Sequence, residues 1–259
     1  MAVVYDTSSA HTWDNTSYST SYTTTSFDNR WMMVGIGTNQ VASDGPDITS
    51  VKYNGVSFTE AWDSSIYTAG DWYHIWTWSL VAPATGSNII EIVCVNSRYH
   101  MVVATASGVD QTNPTTATEQ QQSSSSLYDI TIASDANGLI VVHASGLIQW
   151  SSYGSGQTER QDTNGVAIST EAGTGSNVLV DANASGSVGS HAYAYSLQPV
   201  QNVAVTPTHA EIAASAHIGS VDDGNIALSN IVHAEMVGSA HIGAVQETQV
   251  ILADMIIYT

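Results

Sequence analysis

Short runs of alternating apolar and polar residues dominate the first 200 positions of this chain. Runs rich in Val, Ile, Thr, Tyr and Trp recur roughly every 8 to 15 residues, and clusters of Gly, Asn, Asp and Ser separate them. Alternation with period two places successive side chains on opposite faces of a strand, and evenly spaced short strands are typical of an all-β sandwich or barrel. The pattern predicts strands at residues 31–36, 48–53, 56–62, 72–81, 88–95, 100–107, 128–133, 139–144, 157–162, 166–171, 177–181 and 191–198.

The segments between these strands carry recognisable turn chemistry. Asn54-Gly55 stands between β-prone residues and predicts a tight hairpin, because both residues tolerate a positive φ. Residues 134–138 and 162–165 predict further turns that end in Asn-Gly. Residues 120–126, three Gln followed by four Ser, predict a low-complexity loop.

The chain changes character near Pro199 and then repeats. All seven Trp precede this point, and residues 209–221 return as residues 233–245 with nine of thirteen positions identical. We therefore divide the chain into a β-sandwich over 1–200 and a small β-repeat module over 201–259 with two 24-residue copies, 209–232 and 233–256.

Each copy of the repeat reads as strand, turn, strand, which buries too little apolar area to be stable alone. We expect the module to pack either on sister chains, our first choice, or on its own sandwich. The apolar residues expected at a self-association surface are Ile212, Ile218, Met236 and Ile242. The histidines His217 and His241 could bind a metal or an anion at a threefold axis, or could simply contact Glu211 and Glu235 on the same strand face.

The charge balance excludes several classes of ligand. The chain has 4 Lys and Arg against 23 Asp and Glu, a formal charge of −19. Four basic residues cannot line a nucleic-acid tract, and they cannot bind an anionic membrane. The last base is Arg160, so an association of the C-terminal module cannot rest on Lys or Arg salt bridges.

The first residues indicate how the protein reaches its place of action. Met1-Ala2-Val3-Val4-Tyr5-Asp6 lacks the basic and apolar regions of a signal peptide. The hydroxyl-rich composition is nevertheless that of a surface protein. Synthesis in a host cytoplasm followed by release through lysis would explain a surface-protein composition without a signal peptide. A non-classical secretion route would also fit.

One strand carries an aromatic stripe that could bind a ligand. Trp72, His74, Trp76 and Trp78 share a face if residues 72–81 alternate. Flat rings can stack on sugars, so the stripe is a candidate glycan-binding platform, but such a stripe is more often the inner face of a sandwich.

Other chemistry is sparse, and we predict neither an enzyme nor a cofactor. The chain lacks a Gly-Xaa-Ser-Xaa-Gly elbow, a Gly-rich phosphate loop and a His-Glu-Xaa-Xaa-His motif. If paired carboxylates did act in glycan hydrolysis, Glu60, Asp63 and Asp71 would be the candidates, since they flank the stripe. Cys94 lies in an apolar run and is expected to be buried and inert.

Four segments of the first 200 residues carry a resemblance to a known group of proteins. They are Tyr53-Asn54-Gly55-Val56-Ser57, Leu80-Val81-Ala82-Pro83-Ala84-Thr85-Gly86, Ser107-Gly108-Val109-Asp110-Gln111 and Leu197-Gln198-Pro199. In order and spacing they resemble phage-encoded and bacterial surface domains, although Asn54 replaces the commoner Gly. The tail resembles C-terminal repeats on structural proteins of marine bacteriophages.

The resemblance implies a jelly-roll-like antiparallel β-sandwich that serves as a virion appendage. The implied function is that of a capsid decoration, head-fibre or tail-fibre protein on the virion surface, with itself, as a homotrimer, and capsid or tail proteins as partners. The alternative is a carbohydrate-binding adhesin that recognises host-surface glycans. The resemblance supplies no catalytic residue.

Overall fold

The strands of the protein follow one another with short connections. The structure, a computed structural model, describes residues 1–41, 48–68, 71–95, 98–123, 127–146, 150–184 and 189–200, and the predicted module at 201–259 lies outside them. The strands are β1 Val4–Trp13, β2 Ser17–Thr24, β3 Trp31–Val41, β4 Ile48–Tyr53, β5 Val56–Ser57, β6 Thr59–Thr68, β7 Asp71–Val81, β8 Gly86–Cys94, β9 Tyr99–Ser107, β10 Thr115–Ser123, β11 Leu127–Ala133, β12 Leu139–Gly146, β13 Trp150–Tyr153, β14 Thr158–Thr163, β15 Val166–Ala172, β16 Asn177–Ala184 and β17 Ser190–Leu197.

The all-β prediction is confirmed, and each predicted strand overlaps an observed one. Four strands were not predicted: β1, β2, β10 and β13. The prediction of a low-complexity loop is wrong in its first part, since residues 120–123 complete β10. Hydroxyl and amide side chains differ little in hydropathy, so strands rich in them show no clear alternation of apolar and polar residues. Such strands can be recognised only from their pairing with other strands.

The first half of the chain forms a sandwich of two antiparallel sheets. Its inner sheet has the order β1-β9-β3-β7-β6 and its outer sheet the order β2-β8-β4-β5. Alternate residues of the inner sheet, such as Val34 and Trp76, meet Tyr53 and Ile90 of the outer sheet in one hydrophobic core. Burial of these side chains, which are almost fully removed from water, holds the two sheets together.

The second half repeats this arrangement. Its inner sheet has the order β10-β17-β12-β15-β14, and its outer sheet has the order β11-β16-β13. A separate core lies between them, with Tyr128, Val142 and Trp150 among its buried members. The sequence suggested one sandwich over the first 200 residues, whereas the described residues form two.

β-Bulges at equivalent positions show that the two halves of the chain share one strand arrangement. The bulge between Tyr5 and Thr7 corresponds to the one between Thr115 and Ala117. Further bulges match in β6 and β14, and in β4 and β13. Bulges are specific features of a fold rather than defects, so their coincidence indicates a common unit.

The two sandwiches stack through their inner sheets. β1 lies against β14, β3 against β12, and β9 against β15, so equivalent strands are related by an approximate twofold axis. A third core fills the interface, and Trp31, Met33, Val141 and Tyr195 belong to it. β9, β12 and β17 are consequently buried on both faces. The stack also has two seams where edge strands meet. In the first seam β1 lies against β14. In the second seam Gln122 of β10 donates a hydrogen bond to the Ser65 carbonyl of β6.

The predicted hairpin turn is confirmed by its backbone angles. Asn54 has a φ of 50° and Gly55 a φ of 75°, the positive values that a two-residue turn between β4 and β5 requires. In the part of the chain that the structure describes, no helix is long and apolar enough to cross a membrane.

Candidate functional site

The aromatic stripe predicted on β7 lies largely inside the first sandwich. His74, Trp76 and Trp78 retain 5%, 2% and 8% of their exposure, and both Trp side chains belong to the core. The His74 ring stacks on Trp76 with centroids 5.3 Å apart. These three rings therefore face the outer sheet and offer no flat surface to a sugar.

Trp72, the fourth member of the stripe, is half-buried at the start of β7. Its ring lies 5.3 Å from the exposed ring of Tyr67 on β6, at an angle of 49°. Tilted rings of this kind form a corner rather than the coplanar platform that the stripe would need. Of the three carboxylates predicted beside the stripe, Glu60 and Asp63 are exposed on β6, and the side chain of Asp71 lies outside the described residues.

The structure describes the predicted buried thiol, Cys94, but not the candidate residues of the C-terminal module. Cys94 is a buried free thiol, as expected, and its Sγ contacts the carbonyl oxygen of Asn15 at 3.2 Å. Burial raises the pKa of this thiol, which keeps it protonated and inert. The candidate oligomerisation and ion-binding residues lie outside the described residues: Ile212, Ile218, Met236, Ile242, His217 and His241.

Two buried histidines stand between the inner sheets. The His143 ring on β12 packs against Gly35 on β3, and its Nδ1 is 2.8 Å from the hydroxyl of Thr77 on β7. On β17, His191 is also buried and lies 6.0 Å from the Trp62 ring. Within the described residues, neither ring nitrogen of His191 has a hydrogen-bond partner.

Removal from water determines the protonation of both histidines. Burial lowers the pKa of His143 to about 3 and that of His191 to about 4, with a smaller contribution from a neighbouring imidazole in each case. Both rings are therefore neutral at physiological pH. They are part of the packing between the sheets rather than an exposed acid or base.

The second seam contains an open cleft of about 410 Å³. Its lining, which we call the β6–β10 cleft, consists of Ala61, Thr118, Glu119, Gln120 and Tyr193. Thr118 and Gln120 are exposed beside the cleft, whereas the Tyr193 ring is only 6% exposed and belongs to the core between the two sandwiches.

A β-bulge shapes the wall of this cleft. The register of β6 on β7 shifts between Glu60 and Trp62, so Ala61 is the additional residue. Trp62 turns into the seam and stacks on Tyr193, with centroids 5.6 Å apart and an angle of 28° between the rings. The bulge thus places an aromatic pair behind the polar lining.

The hydropathy pattern does not reveal the β6–β10 cleft, because it does not predict β10 as a strand. A signal is nevertheless present in the sequence. Thr59-Glu60-Ala61 on β6 and Thr158-Glu159-Arg160 on β14 occupy equivalent positions around matching bulges. This shared Thr-Glu, together with Asn29 and Asn137, which both have positive φ ahead of β3 and β12, marks the duplication.

The described residues contain no cluster of three or more His, Cys, Asp or Glu side chains that could hold a metal ion. Comparison with protein-family models, with curated proteins and with solved structures finds no match.

Proposed function

We propose that the protein is a structural component of a bacteriophage virion, a capsid decoration, head-fibre or tail-fibre protein that acts by assembly and display. The observation that carries the proposal is the position of the motifs behind the resemblance. Three of the four motifs fall on special backbone positions of the first sandwich, with positive φ at Asn54, Ala82, Gly86 and Gly108. A motif held in place by turn geometry belongs to a scaffold.

The third motif supports the same conclusion. The Oδ1 atom of Asp110 accepts hydrogen bonds from the backbone N–H groups of Thr112 and Asn113, both at 2.8 Å. Gly108 brings the backbone close to Ala2, and Val109 forms a bridge to Pro199. These contacts join the end of the first sandwich to the end of the second, so this motif also serves the architecture.

We further infer that each sandwich is a jelly roll. The strand pairs of the first half are nested: β1 pairs with β9, β2 with β8, β3 with β7, and β4 with β5. The second half has the nested pairs β10 with β17, β11 with β16, and β12 with β15. A long hairpin wound around itself gives this nesting, and double-sheet jelly rolls are built in that way.

Purified virus particles provide the test. Antibodies raised against the full-length protein should label the particle surface in immunogold electron microscopy, and mass spectrometry of the particles should find the chain in many copies. Antibody absorbed with the purified protein is the control. Protein that remains in the soluble fraction of the lysate, with none on particles, would refute the proposal.

The predicted homotrimer requires a separate measurement. Native mass spectrometry of the full-length protein at micromolar concentration should show a trimer if the C-terminal module joins sister chains. A monomer under these conditions would count against the trimer while leaving the virion role to be decided by the particle experiment.

A further inference from the structure

The chain contains three Asn-Gly pairs, and each lies in a turn between two strands. They are Asn54-Gly55 between β4 and β5, Asn137-Gly138 between β11 and β12, and Asn164-Gly165 between β14 and β15. The three asparagines have positive φ values of 50°, 65° and 48°. Because the dipeptide is the same and the asparagine backbones are similar, chemical differences between the three turns come from their surroundings.

An Asn-Gly pair can lose its side-chain amide without an enzyme. The backbone nitrogen of the glycine attacks Cγ of the asparagine, so an N–Cγ bond forms, the Cγ–Nδ2 bond breaks, and ammonia leaves with the proton of the glycine amide. The product is a five-membered succinimide ring. Water then breaks one of the two C–N bonds of the ring, which gives either aspartate or isoaspartate. The reaction requires a backbone that can rotate until the glycine nitrogen approaches Cγ.

Hydrogen bonds restrain the buried glycine of the Asn137-Gly138 turn. The N–H group of Gly138 donates to the carbonyl of Asp135 at 3.0 Å, and its carbonyl accepts a bond of 2.8 Å from the N–H group of Gly173. The glycine nitrogen cannot reach Cγ of Asn137 unless both bonds break. This turn is therefore protected from the reaction.

The Asn164-Gly165 turn is restrained through both of its residues. The buried Gly165 accepts hydrogen bonds at its carbonyl from the N–H group of Gly146 at 2.9 Å and from Nε1 of Trp150 at 3.1 Å. The Nδ2 atom of Asn164 lies 3.3 Å from Nδ1 of the buried His100. Rotation of this turn would break contacts to three other strands, so it is also protected.

The Asn54-Gly55 turn has no comparable restraint. Both residues are exposed, and a Cβ atom placed on Gly55 would have no neighbouring atom within 4 Å. The backbone N–H of Asn54 donates to the carbonyl of Ile89 at 2.9 Å, but within the described residues neither the Asn54 side chain nor the Gly55 N–H has a hydrogen-bond partner. The turn closes on β5, which consists of two exposed residues, and such a segment opens at low cost.

We propose that Asn54 is a deamidation site, which converts to aspartate and isoaspartate while Asn137 and Asn164 are retained. Isoaspartate adds a methylene group to the main chain, so a two-residue turn can no longer hold Tyr53 opposite Val56. The change stays local, because β4 also pairs with β8. The modified protein remains folded and carries one further negative charge at this turn.

Incubation of the full-length protein at pH 8.0 and 37 °C, both folded and in guanidinium chloride, tests the proposal. Peptide mapping by mass spectrometry follows the replacement of NH2 by OH at each asparagine, and protein isoaspartate methyltransferase labels the isoaspartate. In the folded protein Asn54 should react at least tenfold faster than Asn137 or Asn164. In guanidinium chloride the three should react within threefold of one another, because the restraints are lost.

Asn54→Gly is the matched variant, since it removes the amide and keeps a residue that tolerates the positive φ. The folded variant should lose nearly all of the mass change and all of the isoaspartate label. The proposal fails if the three asparagines react at equal rates in the folded protein, if Asn137 or Asn164 reacts first, or if Asn54 reacts only in guanidinium chloride. Detection of the chain on virus particles is independent of these outcomes.

Discussion

At the scale of the residue, small residues of one sandwich lie opposite larger residues at the equivalent positions of the other sandwich. Gly35 and Gly37 on β3 are equivalent to His143 and Ser145 on β12, and each pair faces the other. A Cβ at Gly37 would lie 2.6 Å from the Ser145 hydroxyl, and one at Gly35 would overlap the His143 ring. The glycines of one half are therefore required by the bulk of the other.

Replacement of Gly35 tests this complementarity. Gly35→Ala should lower the free energy of unfolding by about 1 to 3 kcal/mol, because the added methyl group overpacks the interface. Urea denaturation followed by circular dichroism measures the change. In a His143→Ala background the same substitution should cost little, since the ring has been removed. Equal losses in both backgrounds would show that the two positions are not coupled.

At the scale of the element, the inner sheets differ from ordinary sandwich sheets because strands such as β12 and β17 are buried on both faces. Their outward-facing alternate positions, which would usually meet water, here meet the other sandwich. Polar residues at these positions must therefore be neutral and packed. The stability of the interface consequently depends on keeping His143 and His191 uncharged.

Acid should loosen the interface between the inner sheets. The pKa values of about 3 and 4 for His143 and His191 lie below the ordinary value of 6.5. The unfolded chain therefore takes up protons first, and stability present above pH 6.5 is lost as pH falls through 6.5 toward 4 and 3. Between pH 7.5 and 5.0 each histidine should cost about 2 kcal/mol, because the loss approaches about 1.4 kcal/mol per pH unit below pH 6.5.

Urea denaturation at pH 7.5 and 5.0 measures this loss, with His191→Gln as the comparison. The variant should lose about 2 kcal/mol less than the unaltered protein between the two pH values. Burial raises the pKa values of Asp6, Asp162 and Glu171, which acts in the opposite direction, but these groups are common to both proteins. Identical pH dependence would mean that His191 is not buried in its neutral form.

At the scale of the whole molecule, the charge of −19 is a repulsion that packing has to overcome. The Arg98 and Asp14 side chains lie 3.7 Å apart but are 65% and 68% exposed, so their attraction is weak. Arg30 bonds to backbone carbonyls, and Arg160 lies over an aromatic ring. The described residues are therefore held together mainly by three hydrophobic cores and by backbone pairing.

Added salt should raise the melting temperature. Screening of the excess negative charge favours the compact state, so an increase in NaCl from 10 to 200 mM at pH 7.5 should raise Tm by a few degrees. Differential scanning calorimetry measures the rise. At pH 4.5, close to the isoelectric point of about 4.3, the effect should be much smaller. A melting temperature that falls with salt at pH 7.5 would point to stabilising ion pairs.

Local pattern along the chain accounts for much of the fold. Period-two alternation is sufficient to predict twelve strands, and the Asn54-Gly55 turn follows from the φ values that these two residues tolerate. The apolar run around Cys94 is also enough to predict a buried thiol. Each of these features depends on neighbours within a few residues, and such information is contained in the amino-acid sequence.

The role of each strand face, in contrast, depends on tertiary contacts. Alternation predicts that Trp76 and Thr77 point in opposite directions, but not that one face of β7 meets an outer sheet while the other meets His143. The Ala61 bulge and the Arg160 bulge look equally unremarkable in sequence, yet one borders a cleft and the other fills a seam. The reason is physical: side-chain periodicity is a local property, whereas burial depends on strands that are distant along the chain.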